Sequence, residues 1–192
     1  MPAKRRSYDA VVRAVERALT AAHVDHVFVG GVAVLAFGRA RTTEDVDVLA
    51  DLREKDVPRL MVELRKRGLR VAEWDLRAAI SEGSHCTVDD ARSEYRLDLA
   101  PAVSFEARHS LRHRVRVRTQ GVALPIAAPE HTIVMKLKFG SPQDLEDALA
   151  IYLRQKARLD VRAMTGFASR VGVLPELEDL RRKASELEDA QR

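Results

Sequence analysis

Apolar positions recur along the chain with two different periods, and the changes of period mark its elements. In SYDAVVRAVERALTAAH, Val11, Val12, Val15, Leu19 and Ala22 fall at helical spacing, which predicts an amphipathic helix after a short basic tail. DHVFVGG then reads as a short buried strand, Val24 to Val29, stopped by Gly30 and Gly31, and GVAVLAFG as a small helix that stops at Gly38. In TTEDVDVLAD the period is two, so Val46 and Val48 face one side of a strand and Asp45 and Asp47 the other. A helix over Val57 to Arg67, closed by Gly68, carries Val57, Leu60, Met61 and Leu64 on its apolar side. Leu69 to Glu73 reads as a short strand, and Trp74 as a core residue.

Two hairpins follow. One joins strands near His85 to Val88 and Tyr95 to Leu99 through the polar turn DDARS; the other lies in RHRVRVRTQGVALPIAAPE, with Gly121 near its turn. Beyond Ala128 the period is helical to the end. HTIVMKLKFG, PQDLEDALAIYLRQ, DVRAMTGFASRVG and ELEDLRRKASELEDAQR are four candidate helices, with Pro129 and Pro142 placed in first turns. The expected fold is therefore α/β (α+β): a mixed sheet flanked by helices over residues 1–128, including the N-terminal helix, and a helical subdomain over 129–192.

Composition narrows the class. The single cysteine, Cys86, offers neither a disulfide framework nor a thiolate metal cluster, and reads as a small buried strand residue. No apolar run reaches the roughly 20 residues of a membrane span, and MPAKRRSYDA lacks the apolar segment of a signal peptide, so a cytoplasmic location is expected. The formal net charge of +4 is mild, but ARHSLRHRVRVR, Ala107 to Arg118, holds five arginines and no acid. Arg114, Arg116 and Arg118 alternate with valines and would share one strand face. That face is either an edge kept soluble by charge or a phosphate-binding surface for a nucleic acid such as tRNA. His109, His113 and His131 show no ligand spacing, which leaves them surface or packing roles.

The chemistry lies in the acids. Asp45 and Asp47, at i and i+2 of one strand, point to one face and can converge on the same cation; oxygen ligands suit Mg²⁺, which takes one or two carboxylates plus substrate phosphates. Such pairs also arise by chance in a chain with 29 acids, yet these two sit in an otherwise apolar strand, where an unpaired carboxylate is costly to bury. They follow strand, Gly-Gly and helix, an arrangement in which the amides of Gly30 and Gly31 can receive a phosphate, although a plain tight turn is the commoner use of such a pair. Asp98 in YRLDLA is a third acid between apolar residues on a predicted strand; pairing with Arg96 or Arg92 is its structural alternative. Three carboxylates beside a phosphate-receiving turn fit a two-metal phosphoryl-transfer site.

The run GG, RTTEDVDV and RLDLA resembles the nucleotidyltransferase superfamily with the DNA polymerase beta-like fold, and APEHTIVMKLKFGSPQDLEDALAI resembles the segment after the catalytic sheet in small bacterial members, including AbiE-type toxins. The resemblance spans about Val27 to Leu153. It implies transfer of a nucleoside monophosphate from an NTP to an acceptor hydroxyl, with Asp45 and Asp47 holding two Mg²⁺ ions and Asp98 holding the ion at the acceptor and drawing off its proton. Gly30 and Gly31 would cradle the outer phosphates, and Arg41 and Lys136 would offset triphosphate charge. Lys136, Asp144 and Asp147 stand at places matching the helix lysine and the Asp-rich helix start of those proteins.

Each cation and helix acid keeps a plain alternative: a solvated loop arginine for Arg41, a lysine lying along the core edge for Lys136, first-turn acids for Asp144 and Asp147. Gly31 stands where many members have serine, leaving one hydroxyl fewer beside the triphosphate. The acceptor implied is tRNA or another RNA, as for a toxin held by an antitoxin; an antibiotic or protein acceptor, and a module that binds a nucleotide or a partner without useful catalysis, are the alternatives. A homo-oligomer is compatible with ELEDLRRKASELEDA, which can pack on its own domain or on another chain.

Overall fold

A computed structural model describes residues 5–119 and 121–190. Its elements, in chain order, are α1 (Tyr8–Ala21), β1 (His26–Phe28), α2 (Gly30–Phe37), β2 (Asp45–Ala50), α3 (Val57–Lys66), β3 (Leu69–Arg70), α4 (Glu73–Glu82), β4 (Cys86–Asp90), β5 (Arg96–Pro101), α5 (Phe105–Arg112), β6 (Val115–Thr119), β7 (Val122–Ile126), α6 (Pro129–Phe139), α7 (Pro142–Gln155), α8 (Val161–Val171) and α9 (Leu174–Asp189). The result is the mixed α/β fold that the alternating periods predict. No helix among the described residues is long and apolar enough to cross a membrane.

The chain divides into two compact units: Met1–Val32 with Thr42–Ile126, and Ala33–Arg41 with Ala127–Arg192. The first holds a seven-stranded sheet in the order β3-β4-β5-β2-β1-β7-β6. Its centre is set by β2 and β5, which run parallel in the register Val46↔Leu97, Asp47↔Asp98 and Val48↔Leu99. Antiparallel β1 flanks β2, and antiparallel β4 flanks β5.

Both central strands alternate strictly, with Val46, Val48, Leu97 and Leu99 buried and Asp47 and Asp98 half-buried on the opposite face. Each buried valine or leucine contributes roughly 1.5–3 kcal/mol, and together they fix which face the acids take. The core of this unit also takes Val15 and Leu19 from α1, Phe28 from β1, and Leu60 and Leu64 from α3.

In the second unit Ile133, Ile151, Met164, Phe167 and Leu177 form the core across α6, α7, α8 and α9. Pro129 and Pro142 do stand at the starts of α6 and α7. The segment from Ala33 to Arg41 is tied to α7: Arg154 donates to the carbonyl of Gly38 at 2.9 Å, and Gln155 to that of Phe37 at 2.9 Å.

Two expectations fail. The strand read over Leu69 to Glu73 ends at Arg70, and Glu73 opens α4. Trp74, expected in the core, is 71% exposed, because α4 turns Leu76 and Ala79 inward and leaves Trp74 on the outer side. Ahead of the second hairpin the basic run is helical: α5 covers Phe105–Arg112, and β6 begins at Val115.

Candidate active site

The parallel pairing of β2 and β5 sets two of the acids side by side. Asp47 and Asp98 are direct register partners, and Asp45 lies two residues earlier on the same face, opposite Arg96. Asp98 is oriented from β4, where Thr87 stands opposite it and donates from Oγ1 to Asp98 Oδ1 at 2.9 Å. Its partner is thus a threonine hydroxyl rather than Arg92 or Arg96. The Asp45 carbonyl accepts from Tyr8 at the start of α1, at 3.2 Å, and from Thr43, also at 3.2 Å.

The glycine pair is explained by what covers it. Gly30, at φ +53, opens α2, and a side chain there would start 2.0 Å from Asp47 Oδ2. Only glycine takes that backbone conformation cheaply, and only a missing Cβ admits the carboxylate. At Gly31 the intruder is Thr43, whose Oγ1 lies 2.5 Å from where a Cβ would sit. A serine at 31 would therefore collide, and the space is taken by another residue that brings a hydroxyl of its own. The pair thus makes room for a carboxylate and a hydroxyl at the first turn of α2, where backbone amides lack helical partners.

Among the described residues no group of three or more His, Cys, Asp or Glu side chains is ready-made to hold a metal ion. The donor chemistry still fits Mg²⁺, which is commonly held by one or two carboxylates together with substrate phosphates and water rather than by an all-protein cage. Asp45, Asp47 and Asp98 present such carboxylates on one face of neighbouring strands.

Arg41 and Lys136 belong to the second unit, where both approach one buried acid. Asp147 is fully buried on α7; Arg39 donates to its Oδ1 at 3.0 Å, Lys136 Nζ lies 3.3 Å from Oδ2, and Arg41 Nε lies 3.2 Å from Oδ2, off the line of a hydrogen bond. Three cations around one carboxylate satisfy a charge that could not otherwise be buried. Asp144 closes a capping box with Ser141 at the start of α7 and accepts from Lys136 at 2.6 Å. Burial alone would raise its carboxyl, but the hydrogen bonds from Lys136 and Ser141 outweigh this and hold it below the usual aspartate range. Asp144 and Asp147 therefore do more than complement the helix N-terminus: they fix Lys136.

Thr87 and Tyr8 lie outside the sequence motifs, and Thr43 stands inside RTTEDVDV with nothing there to mark its contact with Gly31. Alternation along β4 could have put Thr87 on the acid face, but only once the β4–β5 register was known.

A family model described as "Nucleotidyltransferase of unknown function (DUF6036)" matches residues 9–187. The chain belongs to this family. Its fold is shared with other nucleotidyltransferase structures. The antibiotic-resistance factor ANT(2'')-Ia matches at 16% identity and TM-score 0.51, over 97% of this chain and 100% of that one. A crystal structure of ANT(2'')-Ia in complex with adenylyl-2''-tobramycin matches at 16% identity and TM-score 0.51, over 90% of this chain and 98% of that one. An antigenic nucleotidyltransferase-like protein from Paracoccidioides brasiliensis matches at 18% identity and TM-score 0.54, over 91% of this chain and 93% of that one. No curated protein matches this DUF6036 member.

Proposed function

We propose that this DUF6036 nucleotidyltransferase moves a nucleoside monophosphate from an NTP to an acceptor hydroxyl in a Mg²⁺-dependent reaction. The observation that carries the reading is the Asp47↔Asp98 register pair with Asp45 on the same face. Asp45 and Asp47 would hold two Mg²⁺ ions, and Asp98 the ion on the acceptor side. When bound, these ions offset the charge of the triphosphate and acidify the acceptor hydroxyl.

The chain's own residues do the rest. Asp98, steadied by Thr87, takes the acceptor proton as the new oxygen–phosphorus bond forms at the α-phosphate and pyrophosphate leaves. The Gly30 and Gly31 amides face the outer phosphates from the first turn of α2.

The acceptor we favour is a tRNA or another RNA, which would suit a toxin controlled by an antitoxin. An antibiotic hydroxyl is the second reading, supported by the full-length fold likeness to ANT(2'')-Ia. Purified protein given α-labelled NTPs, Mg²⁺ and either total tRNA or tobramycin should label one acceptor and release pyrophosphate, and Asp45→Asn should abolish both. Labelling that persists in Asp45→Asn would remove the assigned mechanism. Mg²⁺-NTP binding with no release for any acceptor would instead favour a nucleotide-binding module.

A further inference from the structure

We infer that the outer face of α5 and the edge strand β6 form a binding surface for single-stranded nucleic acid. Helix α5 turns Ala107, Ser110 and Leu111 inward. At 3.6 residues per turn this leaves Phe105, Arg108, His109, Arg112 and His113 on the opposite side. Three of these are rings spaced four residues apart, and they form a ladder: Phe105 and His109 centroids are 5.9 Å apart, His109 and His113 centroids 4.1 Å apart with planes tilted by 30°. His113, at the end of the ladder, is exposed, so a flat partner can extend the stack there.

Arginines run beside the rings. Arg108 and Arg112 lie one turn apart on α5, and Arg116 and Arg118 alternate along β6, which stands at the end of the strand order among the described residues. Arg112, Arg116 and Arg118 are exposed, and none forms a salt bridge with a described residue. Arg114 between them is tied to Asp25 at 2.7 Å and to the Leu111 carbonyl, which holds the helix end and the strand start together.

A charged edge strand alone needs only solubility as its reason. A ring ladder beside free guanidinium groups matches a ligand that alternates phosphates with flat bases, since bases stack on rings while phosphates meet arginines. An acidic protein segment would satisfy the arginines but supplies no run of flat rings to continue the stack at His113. The surface goes beyond the proposed transfer reaction and does not depend on it, because such binding requires neither an NTP nor Mg²⁺.

The test is fluorescence anisotropy with labelled single-stranded RNA and DNA oligonucleotides and a matching duplex, without NTP or Mg²⁺, over a salt series. The full chain should bind the single strands and weaken as salt rises. Arg112→Ala/Arg116→Ala/Arg118→Ala should cut the slope of log affinity against log salt by about 2, at roughly 0.7 per lost phosphate contact. His113→Ala should weaken single-strand binding about tenfold and leave the slope unchanged. All these side chains are exposed, so both variants should unfold like the wild type.

Equal affinity for RNA and DNA identifies backbone and base contacts alone as the determinant, and a preference for RNA adds the 2′-hydroxyl; either supports the inference. It is overturned if no single strand binds at low salt, if the triple variant keeps the full slope, or if a polyglutamate peptide competes as well as the oligonucleotides. Loss of this binding in a protein that still transfers nucleotide would leave the carboxylate site untouched.

Discussion

The Asp47 carboxylate lies over the backbone of Gly30, 2.0 Å from where a side chain on that glycine would begin. Gly30→Ala therefore forces a choice between moving Asp47 and moving the start of α2. The left-handed backbone adds a cost of about 1–2 kcal/mol for any residue with a Cβ. The variant should unfold at lower temperature by calorimetry. It should also lose about a hundredfold in nucleotide transfer, the scale of a 1 Å misplacement of a reacting group. A fully active Gly30→Ala would show that Asp47 does not act from this position.

Gly31 and Thr43 form a second, separable pair. Gly31→Ser places a Cβ 2.5 Å from Thr43 Oγ1 and should destabilise the protein, whereas Gly31→Ser/Thr43→Gly clears the space. A double-mutant cycle followed by urea denaturation should give a coupling of about 1 kcal/mol or more, with the double variant more stable than additivity requires. Strictly additive effects would mean that the two side chains do not compete for one volume.

Removing the acid at the centre of the second unit should be costly. Asp147→Asn leaves Arg39, Arg41 and Lys136 facing a neutral amide at a fully buried position, and breaking buried pairs of this kind costs about 3–5 kcal/mol. Denaturant midpoints should fall accordingly. A change under about 0.5 kcal/mol would reduce the cluster to a surface arrangement.

Acid should weaken the same region through Asp144. Its carboxyl titrates below the ordinary aspartate value in the folded chain, so its contribution is present above that value and lost as pH falls through the folded one. Between about pH 5 and pH 2, Asp144→Asn should flatten the decline of stability with falling pH relative to the wild type. Parallel curves for the two proteins would rule out Asp144 as a source of the acid limb.

Cys86 gives a prediction independent of catalysis. Burial, with smaller contributions from Asp75 and Asp98, pushes its thiol up to about 11. The reactive thiolate is then scarce at neutral pH, and Ellman's reagent should react far more slowly with the folded chain than with the urea-unfolded one. Equal rates would place Cys86 outside the core.

How much of this was legible in the sequence differs by element. The alternation of DVDV and RLDL gives β2 and β5 with their buried and acidic faces, because a two-residue period survives any tertiary context that buries one face. Helix α4 was invisible because only Leu76 and Ala79 are buried in it, too thin a stripe to register as a period, and Trp74 misleads by facing outward. Helix α5 was hidden because its arginines run without a break into those of β6. Thr43 and Thr87 could not be found, since each matters only through a partner supplied by folding. Asp147 does stand out in the sequence as a helix-start acid, but its burial against Arg39, 108 residues away along the chain, is supplied by folding.

The Asp47↔Asp98 alignment also determines which kinds of change the chain can absorb. Successive side chains on a strand point to opposite faces, so inserting or deleting a single residue within β5 ahead of Asp98 would turn Asp98 and Leu99 together to the wrong faces. Swapping Leu97 for isoleucine leaves the alignment alone. Divergent copies of this chain should therefore exchange one apolar residue for another along β5 and change the length of the turn from Asp90 to Tyr95, but keep the count of residues within β5.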